Sequence, residues 1–392
     1  MPLSDQYKII DIALISYGTM SYYNKPMQLE KDLGYSATEI ENKPERQFKT
    51  SRGVFFQGQG TQRLHMGMRV YEVSTAARRV YQAFDETLGF SVRDKSFHDP
   101  DKDLYSTTIA QLAVSARAIA CYEAMREEEP GFESSVGVFM GHSLGEYMAY
   151  YAAGVISLSD TIRAIYARGE AYKYAIGINP GVLVAMSIIP KEKNQPATPE
   201  EIDRLRDVVS DLIDGEFYLS ADNDPTQLVI GGSKQAFNRH EERIKRLRKE
   251  RIKGKLLPVD GAPHTPLMEP AVEKFLPVFR ALEIRSSNVP LILNVKANVL
   301  RENDPLTRPL LEEEVARQMV SPVLWRQGVE HSREGGITET MEIGVENPDN
   351  DGILSNMNLK TVGGYISGGL MIAGGLVTVG LVWKHHQHPE KR

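Results

Sequence analysis

One short segment constrains this chain more than any other. Gly141-His142-Ser143-Leu144-Gly145-Glu146 follows the apolar run Ser135 to Met140 and leads into Leu144 to Ala153, which has helical periodicity. Such a strand, turn and helix are typical of a nucleophile elbow, whose sharp turn presents the serine hydroxyl at the N-terminus of the helix. Unpaired N–H groups and the helix dipole stabilise negative charge there. The sequence therefore predicts that Ser143 is a nucleophile.

A nucleophilic serine needs a base, and histidine commonly serves. Of the nine histidines, three lie in the C-terminal tail, and we expect the side chain of His142 to point away from its neighbour Ser143. The other candidates are His65, His98, His240, His264 and His331. His264 is favoured because it lies in the constrained loop Gly261 to Pro266, and loops held by a rigid scaffold often carry catalytic groups.

Arg168 is the third residue that the pattern singles out. Thr161, Ile165, Arg168 and Tyr172 are spaced by four, three and four residues, which places them on one face of a helix that begins near Asp160. An arginine among inward-facing residues must find an acceptor, because an unpaired buried charge is very costly. The acceptor is either an internal acid or the carboxylate of a substrate, held by a bidentate pair.

Composition and periodicity divide the chain into five parts. Residues 1–52 form a polar N-terminal extension, residues 53–178 and 259–358 a large domain, and residues 179–258 an inserted subdomain. The alternation of strands and helices in the large domain predicts an α/β fold with a mostly parallel sheet. Residues 361–383 carry no charge and have the length of a transmembrane helix. A buried glycine-rich helix is the alternative there, and residues 384–392 form a basic, histidine-rich tail.

Charge and cysteine content narrow the classes of function. The net charge of −6 gives no general sign of nucleic-acid binding. The single cysteine, Cys121, cannot form an intrachain disulfide, and its apolar neighbours predict a buried small side chain. Residues 239–255 contain nine basic and three acidic residues, and most of them lie on a helix predicted from Lys234 to Arg251. A solvated helix face is one interpretation of this run, and a docking surface for an acidic protein is the other.

The two ends of the chain bear on its location. Residues 1–52 contain seven basic and seven acidic residues, whereas a mitochondrial transit peptide is rich in arginine and poor in acids. This segment also lacks the apolar core of a secretory signal. The N-terminal extension therefore indicates neither mitochondrial import nor secretion.

Several motifs together resemble a known family. Their order along the chain is similar to that of the malonyl-CoA:acyl-carrier-protein transacylases, and they extend over roughly residues 53 to 357. They are Phe56-Gln57-Gly58-Gln59-Gly60-Thr61-Gln62, the Ser143 elbow, Tyr166-Ala167-Arg168-Gly169, Ala221-Asp222-Asn223 with Gln227, Pro263 to Pro270, Asn294-Val295-Lys296-Ala297, Ser321 to Trp325 and Glu342-Ile343-Gly344.

The resemblance implies a large α/β-hydrolase-like domain, an inserted ferredoxin-like subdomain, and an active site between them. Ser143 would attack the malonyl thioester, His264 would act as its base, and the main-chain carbonyl near Gln318 would orient His264. The backbone N–H groups of Gln59 and Leu144 would form the oxyanion hole.

The same resemblance assigns the substrate and the partner. Arg168 would bind the free carboxylate of the malonyl group, and Tyr172, His142, Asn223 and Gln59 would also contact the substrate. The substrate would be malonyl-CoA, and the partner an acidic acyl carrier protein that carries phosphopantetheine and docks near Arg243, Arg246 and Lys249. No metal or resident cofactor is implied.

Four departures from the family pattern bear on selectivity and order. Gln57 replaces a proline and is expected to loosen the oxyanion loop, while Val345-Glu346 replaces Pro-Gly. Ala262-Pro263 replaces an aromatic residue before His264, and Tyr172 replaces a methionine. We expect these last two positions to face the acyl pocket.

Two other functions and two locations are kept as alternatives. A serine hydrolase, such as a thioesterase or patatin-like lipase, would suit a membrane anchor, and a non-catalytic scaffold that binds a carrier protein is the second rival. An N-terminal extension on a separate transacylase suggests a mitochondrial, membrane-associated enzyme. A tail-anchored enzyme that faces the cytosol is the alternative location.

Overall fold

The computed structural model describes residues 47–192, 196–213, 216–343 and 358–361. Its strands are β1 (Arg52–Phe56), β2 (Val136–Gly141), β3 (Gly181–Ile188), β4 (Phe217–Asp224), β5 (Gln227–Ser233), β6 (Ile252–Leu256), β7 (Leu291–Ile292), β8 (Val299–Leu300), β9 (Glu339–Ile343) and β10 (Asn358–Thr361). Its α-helices are α1 (Met68–Val73), α2 (Thr75–Leu88), α3 (Val92–Phe97), α4 (Thr107–Glu128), α5 (Gly145–Ala152), α6 (Leu158–Ile178), α7 (Pro199–Ile213), α8 (Lys234–Arg246), α9 (Glu269–Arg280), α10 (Thr307–Gln318) and α11 (Trp325–Glu334).

The larger sheet has six strands in the order β10-β9-β1-β2-β7-β8. The four central strands run parallel, while β10 and β8 pair antiparallel at the two edges. Every residue of β2 is buried, as expected for a parallel strand covered on both faces. The predicted α/β fold with a mainly parallel sheet is therefore confirmed.

Two long helices, α4 and α6, pack against each other near the elbow. The alanine-rich helix α4 is buried around most of its circumference, so it lacks the polar stripe of a surface helix. Cys121 lies on this helix and is buried, as predicted. Helix α6 buries Thr161, Ile165, Arg168 and Tyr172, which confirms that the four share the inward face.

The smaller sheet has four antiparallel strands in the order β4-β5-β3-β6. Successive residues of a strand face opposite sides of a sheet. Val184 and Met186 therefore join one core with residues of α7 and α8, while Leu183 and Ala185 join a second core that includes Val138 of the larger sheet. The second core brings the two sheets together beside the C-terminal end of β2.

Strand β4 is also bonded to the segment before α11. The N–H of Asp222 donates to the carbonyl of Val323 at 2.9 Å, and the N–H of Val323 donates to the carbonyl of Ser220 at 3.0 Å. The carboxylate of Asp222, which is 4% exposed, forms an ion pair with Arg326 at 2.9 Å. These contacts fix the smaller sheet against the larger one.

The helix predicted from Lys234 to Arg251 begins where expected but is too long, so the basic run 239–255 does not lie on one helix. Helix α8 ends at Arg246, a 3₁₀ turn covers Leu247–Glu250, and Ile252–Leu256 is an edge strand. Arg251 adopts a left-handed conformation with φ 63°, which ends the helical turn and redirects the chain into β6. The basic residues therefore lie on three different elements.

Several predicted segments lie outside the described residues. They include residues 1–46 of the extension, residues 362–383 of the predicted membrane helix, residues 384–392 of the tail, and the Val345-Glu346 departure. Within the ranges that the structure describes, no helix has the length and apolar character needed to cross a membrane.

Candidate active site

The elbow lies where β2 ends and α5 begins. Ser143 has φ 54°, a left-handed conformation that costs a non-glycine residue energy and is found at strained functional turns. The turn also requires glycine on both sides. A Cβ at Gly141 would lie 2.0 Å from the carbonyl carbon of Gly145, and one at Gly145 would lie 2.2 Å from the carbonyl oxygen of Phe56. The G-x-S-x-G spacing thus follows from packing at the turn.

His264 lies directly against the nucleophile. Its Nε2 is 2.6 Å from Oγ of Ser143, and its Nδ1 is 2.6 Å from the carbonyl oxygen of Gln318. Because a carbonyl only accepts, Nδ1 carries the proton and Nε2 is left free to accept one from the serine. Burial, with a smaller effect from the nearby Arg168 guanidinium, lowers the pKa of His264 to about 3. The ring is therefore neutral at physiological pH, as a general base must be.

Arg168 lies on the other side of the serine and is 1% exposed. Its guanidinium donates to Ser143 Oγ at 3.0 Å, to the Tyr172 hydroxyl at 3.0 Å and to Gln111 Oε1 at 2.7 Å. Its Nε has no hydrogen-bond partner, and it makes no ion pair, among the described residues. This buried cation thus has hydrogen-bonding capacity left beside the nucleophile, without an internal carboxylate to neutralise it.

The loop after β1 brings Gln59 to the cavity that holds Ser143 and His264. The expected loosening of this loop by Gln57 stays a prediction, and Gln57 itself is hydrogen-bonded through both its backbone and its side chain. Its backbone N–H donates to the carbonyl of Ile343 at 3.1 Å, and its side chain donates to Glu342 at 3.2 Å. A proline has no N–H and could not make the first bond. Leu144 caps α5 directly after the serine, where the first N–H groups of a helix have no partner within the helix.

His142 points away from the serine hydroxyl. Its Nε2 is 3.0 Å from Oδ1 of Asn223, and its ring lies 5.4 Å from that of Trp325. His142 and Tyr172 line the cavity beside Ser143, while Asn223 supports His142 from behind.

The expectation that Ala262 faces the acyl pocket is wrong. Cβ atoms built at Gly181 and Gly231 would lie 2.8 Å and 3.2 Å from the Ala262 methyl, so this side chain packs against the smaller sheet. Pro263 and Tyr172 do line the cavity. Of the two departures at this loop, therefore, only the proline reaches the cavity wall.

Comparison with known proteins agrees with this geometry. The model of the acyl transferase domain family matches residues 54–346. The malonyl CoA-acyl carrier protein transacylase of Bacillus subtilis is 32% identical over 74% of this chain and 85% of its own length. This chain belongs to the acyl transferase family, among the malonyl-CoA:acyl-carrier-protein transacylases.

Two further relatives extend the comparison within the family. The mitochondrial malonyl-CoA-acyl carrier protein transacylase of Homo sapiens is 29% identical over 74% of this chain and 73% of its own length. A malonyl-transacylase solved in complex with a type II polyketide synthase acyl carrier protein aligns with a TM-score of 0.64. It is 25% identical, and the alignment covers 75% of this chain and 89% of that one.

The remaining histidines of this acyl transferase have other partners. His65 and His331 each lie 2.7 Å from a backbone carbonyl, while His98 and His240 lie beside the carboxylates of Asp94 and Glu216. None of the four lines the cavity of Ser143. Within the described part of the chain, no cluster of three or more histidine, cysteine or acidic side chains is arranged to hold a metal ion.

Sequence reasoning missed the amides that hold the site together. Oδ1 of Asn294 accepts from the N–H of Ser143 at 2.7 Å, and Nδ2 of Asn294 donates to the carbonyl of Gly141 at 2.7 Å. The side chain of Gln318 donates to the carbonyl of Ser143 at 3.0 Å and accepts from Arg168 at 3.3 Å. Asn294 belongs to one of the motifs that resemble the family, so the sequence did draw attention to it. Nothing in the sequence indicated a role for the Gln318 side chain or for Gln111.

Proposed function

We propose that this chain transfers a malonyl group from malonyl-CoA to the phosphopantetheine thiol of a holo-acyl carrier protein, supplying extender units for fatty acid synthesis. One observation carries the proposal: Ser143 Oγ lies 2.6 Å from a histidine and 3.0 Å from a buried arginine that has no carboxylate partner in the described structure. A nucleophile, a base and an unneutralised cation at one point suit a thioester whose acyl group ends in a carboxylate.

The first half-reaction forms an ester on Ser143. As Oγ attacks the thioester carbonyl, His264 Nε2 takes the hydroxyl proton, and the N–H groups of Leu144 and Gln59 stabilise the oxyanion. Collapse of the tetrahedral intermediate breaks the C–S bond, and His264 returns the proton to the CoA sulfur. The carbonyl of Gln318 holds the imidazolium in place through Nδ1 at 2.6 Å.

The second half-reaction is the reverse with a different thiol. His264 takes the proton from the phosphopantetheine thiol, whose sulfur attacks the malonyl-serine ester. Loss of the serine alkoxide, protonated by His264, regenerates the enzyme and leaves malonyl on the carrier. Because water could attack the same ester, the buried position of His264 and Arg168 favours transfer over hydrolysis.

Arg168 selects the acyl group by its charge. In the free protein its guanidinium donates to Ser143 Oγ and to the Tyr172 hydroxyl. The malonyl carboxylate would replace the serine as acceptor and also reach the unpartnered Nε, so the ion pair forms only with a dicarboxylic acyl group. The ring of Tyr172 lies under the guanidinium, with 4.5 Å between the ring centroid and the arginine Cζ. This contact helps to fix the orientation of the guanidinium.

The carrier protein is proposed to dock on the basic residues at the end of the smaller sheet. Arg243 is already paired with Asp211 at 3.4 Å, whereas Arg246 and Lys249 form no ion pair with the described residues. Lys253 and Lys255 on edge strand β6 extend this unpaired charge. We therefore expect Arg246 and Lys249 to contribute more to docking than Arg243, because their charges are not neutralised internally.

Domain limits, membrane attachment and location are further parts of the proposal. The smaller sheet with α7 and α8 has the element order βαββαβ, which supports a ferredoxin-like subdomain at residues 179–258 between the halves 53–178 and 259–358 of an α/β-hydrolase-like domain. The uncharged run 361–383 supports membrane attachment. A mitochondrial location is supported by the human relative.

Radiolabelled thioesters test the function. The purified chain is mixed with malonyl-CoA, acetyl-CoA or methylmalonyl-CoA, and label is followed on the protein and then on added holo-carrier protein. We expect malonyl label that requires Ser143 and moves to the carrier, with Ser143→Ala as the control. Label released only as free acid would make the chain a hydrolase, and no label with any donor would leave a carrier-binding scaffold.

A further inference from the structure

Two glutamates lie side by side in the core behind the elbow. Glu146 on α5 is 1% exposed and Glu314 on α10 is 5% exposed, and their carboxyls contact one another. Lys296, the basic residue that faces Glu314, forms its ion pair with the exposed Glu313 at 3.1 Å instead. Two adjacent carboxylates without a cation are very costly in a buried site, so the pair retains a proton.

Hydrogen-bond donors decide which carboxyl keeps the proton. Glu146 accepts from the N–H and Nδ2 of Asn294, at 2.8 Å and 3.1 Å, and from the side chain of Gln318. Glu314 accepts from the N–H of Val295 at 2.8 Å and, more weakly, from the backbone of Asn294, and no side-chain amide donates to it among the described residues. Donors stabilise the charged form of a carboxyl. The charge therefore resides on Glu146, and Glu314 carries the proton and donates it.

Both amides bound to Glu146 also hold catalytic groups. Asn294 receives the N–H of Ser143 and binds the carbonyl of Gly141, which sets the two ends of the elbow. Gln318 binds the carbonyl of Ser143 with its side chain and Nδ1 of His264 with its own carbonyl. A shift of the glutamate pair would therefore reach both the nucleophile and its base.

We propose that Glu146 and Glu314 share one proton and act as positioning residues that hold Asn294 and Gln318 in the orientation needed to load Ser143. This inference rests on the acyl transfer proposed above. It adds a condition to that reaction: the nucleophile and the base are aligned only while the shared proton is in place.

The arrangement makes loading sensitive to alkaline pH. Burial raises the pKa of both carboxyls, and the nearby charge of Glu314 raises that of Glu146 further. The titratable groups that face the pair are Tyr147 and Tyr150 from α5 and Lys296 from the loop after Asn294. When the shared proton leaves, the two anions repel each other and the amides lose their fixed orientation.

Three full-length variants on α10 test the proposal. Glu314→Gln keeps a donor toward Glu146 and an acceptor for Val295 but cannot ionise, and Glu314→Ala removes both. Glu312→Gln changes a neighbouring glutamate whose ion pairs are with Arg280 and Arg308. The rate of Ser143 acylation is measured from pH 6 to 9 with malonyl-CoA and, independently of its activity, with a serine-directed fluorophosphonate. Infrared spectra of the same proteins report a protonated carboxyl.

We expect Glu314→Ala to slow acylation by both reagents by about 10-fold to 100-fold at pH 7, as small misplacements of reacting groups do. The acylation rate of Glu314→Gln should stay within about threefold of the parent's at pH 7. This variant should not show the decline in rate that we expect of the parent at alkaline pH. Glu312→Gln should match the parent throughout. The infrared band of a protonated carboxyl at neutral pH should be absent only in the two Glu314 variants.

The proposal is overturned if Glu314→Ala is acylated as fast as Glu312→Gln, or if no carboxyl band depends on Glu314. A parent that reacts with the fluorophosphonate but not with malonyl-CoA would refute the malonyl transfer alone. The infrared band and the fluorophosphonate rates would still decide the role of the glutamate pair.

Discussion

Ser143 and His264 share a backbone conformation as well as a 2.6 Å contact: both are non-glycine residues with positive φ, 54° and 63°. Such conformations store energy and persist only where the surrounding structure imposes them. Here the glycine packing of the elbow imposes one, and the bond from the N–H of His264 to the carbonyl of Met319, at 2.9 Å, helps to impose the other. The site is therefore built at a cost in stability.

That cost can be measured at Ser143. Ser143→Gly and Ser143→Ala both remove the hydroxyl and its contacts, but only glycine relieves the left-handed strain. We expect Ser143→Gly to unfold at higher urea, with a free energy of unfolding about 1 kcal/mol above that of Ser143→Ala. Equal stabilities would mean that the elbow is unstrained in solution.

Replacing Arg168 should change the preferred acyl group. Arg168→Ala removes the charge proposed to bind the malonyl carboxylate, so kcat/KM for malonyl-CoA should fall by roughly 10-fold to 150-fold, the value of a charge-assisted pair. Acetyl-CoA has no carboxylate and should lose far less. Arg168→Lys, which keeps the charge but not the planar fork, should fall between the two. An equal loss with both donors would argue for a purely structural arginine.

The Tyr172 hydroxyl should affect malonyl binding through Arg168. Tyr172→Phe keeps the ring under the guanidinium but removes a hydrogen bond of 3.0 Å. We expect kcat/KM for malonyl-CoA to fall by about 2-fold to 13-fold, equivalent to one ordinary hydrogen bond. The acetyl-CoA rate is the internal control. A larger loss with acetyl-CoA than with malonyl-CoA would place Tyr172 in a different role.

His264 should make stability depend on acid pH. Its pKa is depressed from 6.5 to about 3 in the folded protein, chiefly by burial, so the unfolded chain binds the extra proton first. The free energy of unfolding should therefore be highest above pH 6.5 and fall as pH decreases toward 3, by at most about 1.4 kcal/mol per pH unit. Urea titrations at several pH values measure the slope. His264→Gln should reduce it, and an unchanged slope would contradict the neutral buried ring.

The residues that sequence reasoning identified are those with local signals. The glycines around Ser143 indicate a turn that only glycine permits. The helical spacing of four residues on α6, including Arg168, indicates a face that points inward. The constrained loop around His264 favours that histidine over the others. The parallel sheet follows from apolar runs such as β2.

What the sequence did not reveal depends on contacts between distant residues or on one backbone angle. Gln111 is 57 residues from Arg168 and looks like any polar residue of a helix. Glu314 lies among three consecutive glutamates, and only its burial against Glu146 distinguishes it. The predicted helix extends beyond Arg246 because the residue type does not indicate the left-handed conformation of Arg251.

The attachment of β4 to the segment before α11 bears on the order in which malonyl-CoA and the carrier protein's thiol bind to the enzyme. The backbone pairing with Val323 and the Asp222–Arg326 ion pair hold the walls beside Ser143 at a fixed separation. CoA is released in the first half-reaction and the carrier's thiol reacts in the second at the same serine, so we expect ping-pong kinetics. The ester on Ser143 keeps the acyl group on the enzyme between the two binding events. CoA and the carrier protein can therefore exchange it without being bound at the same time.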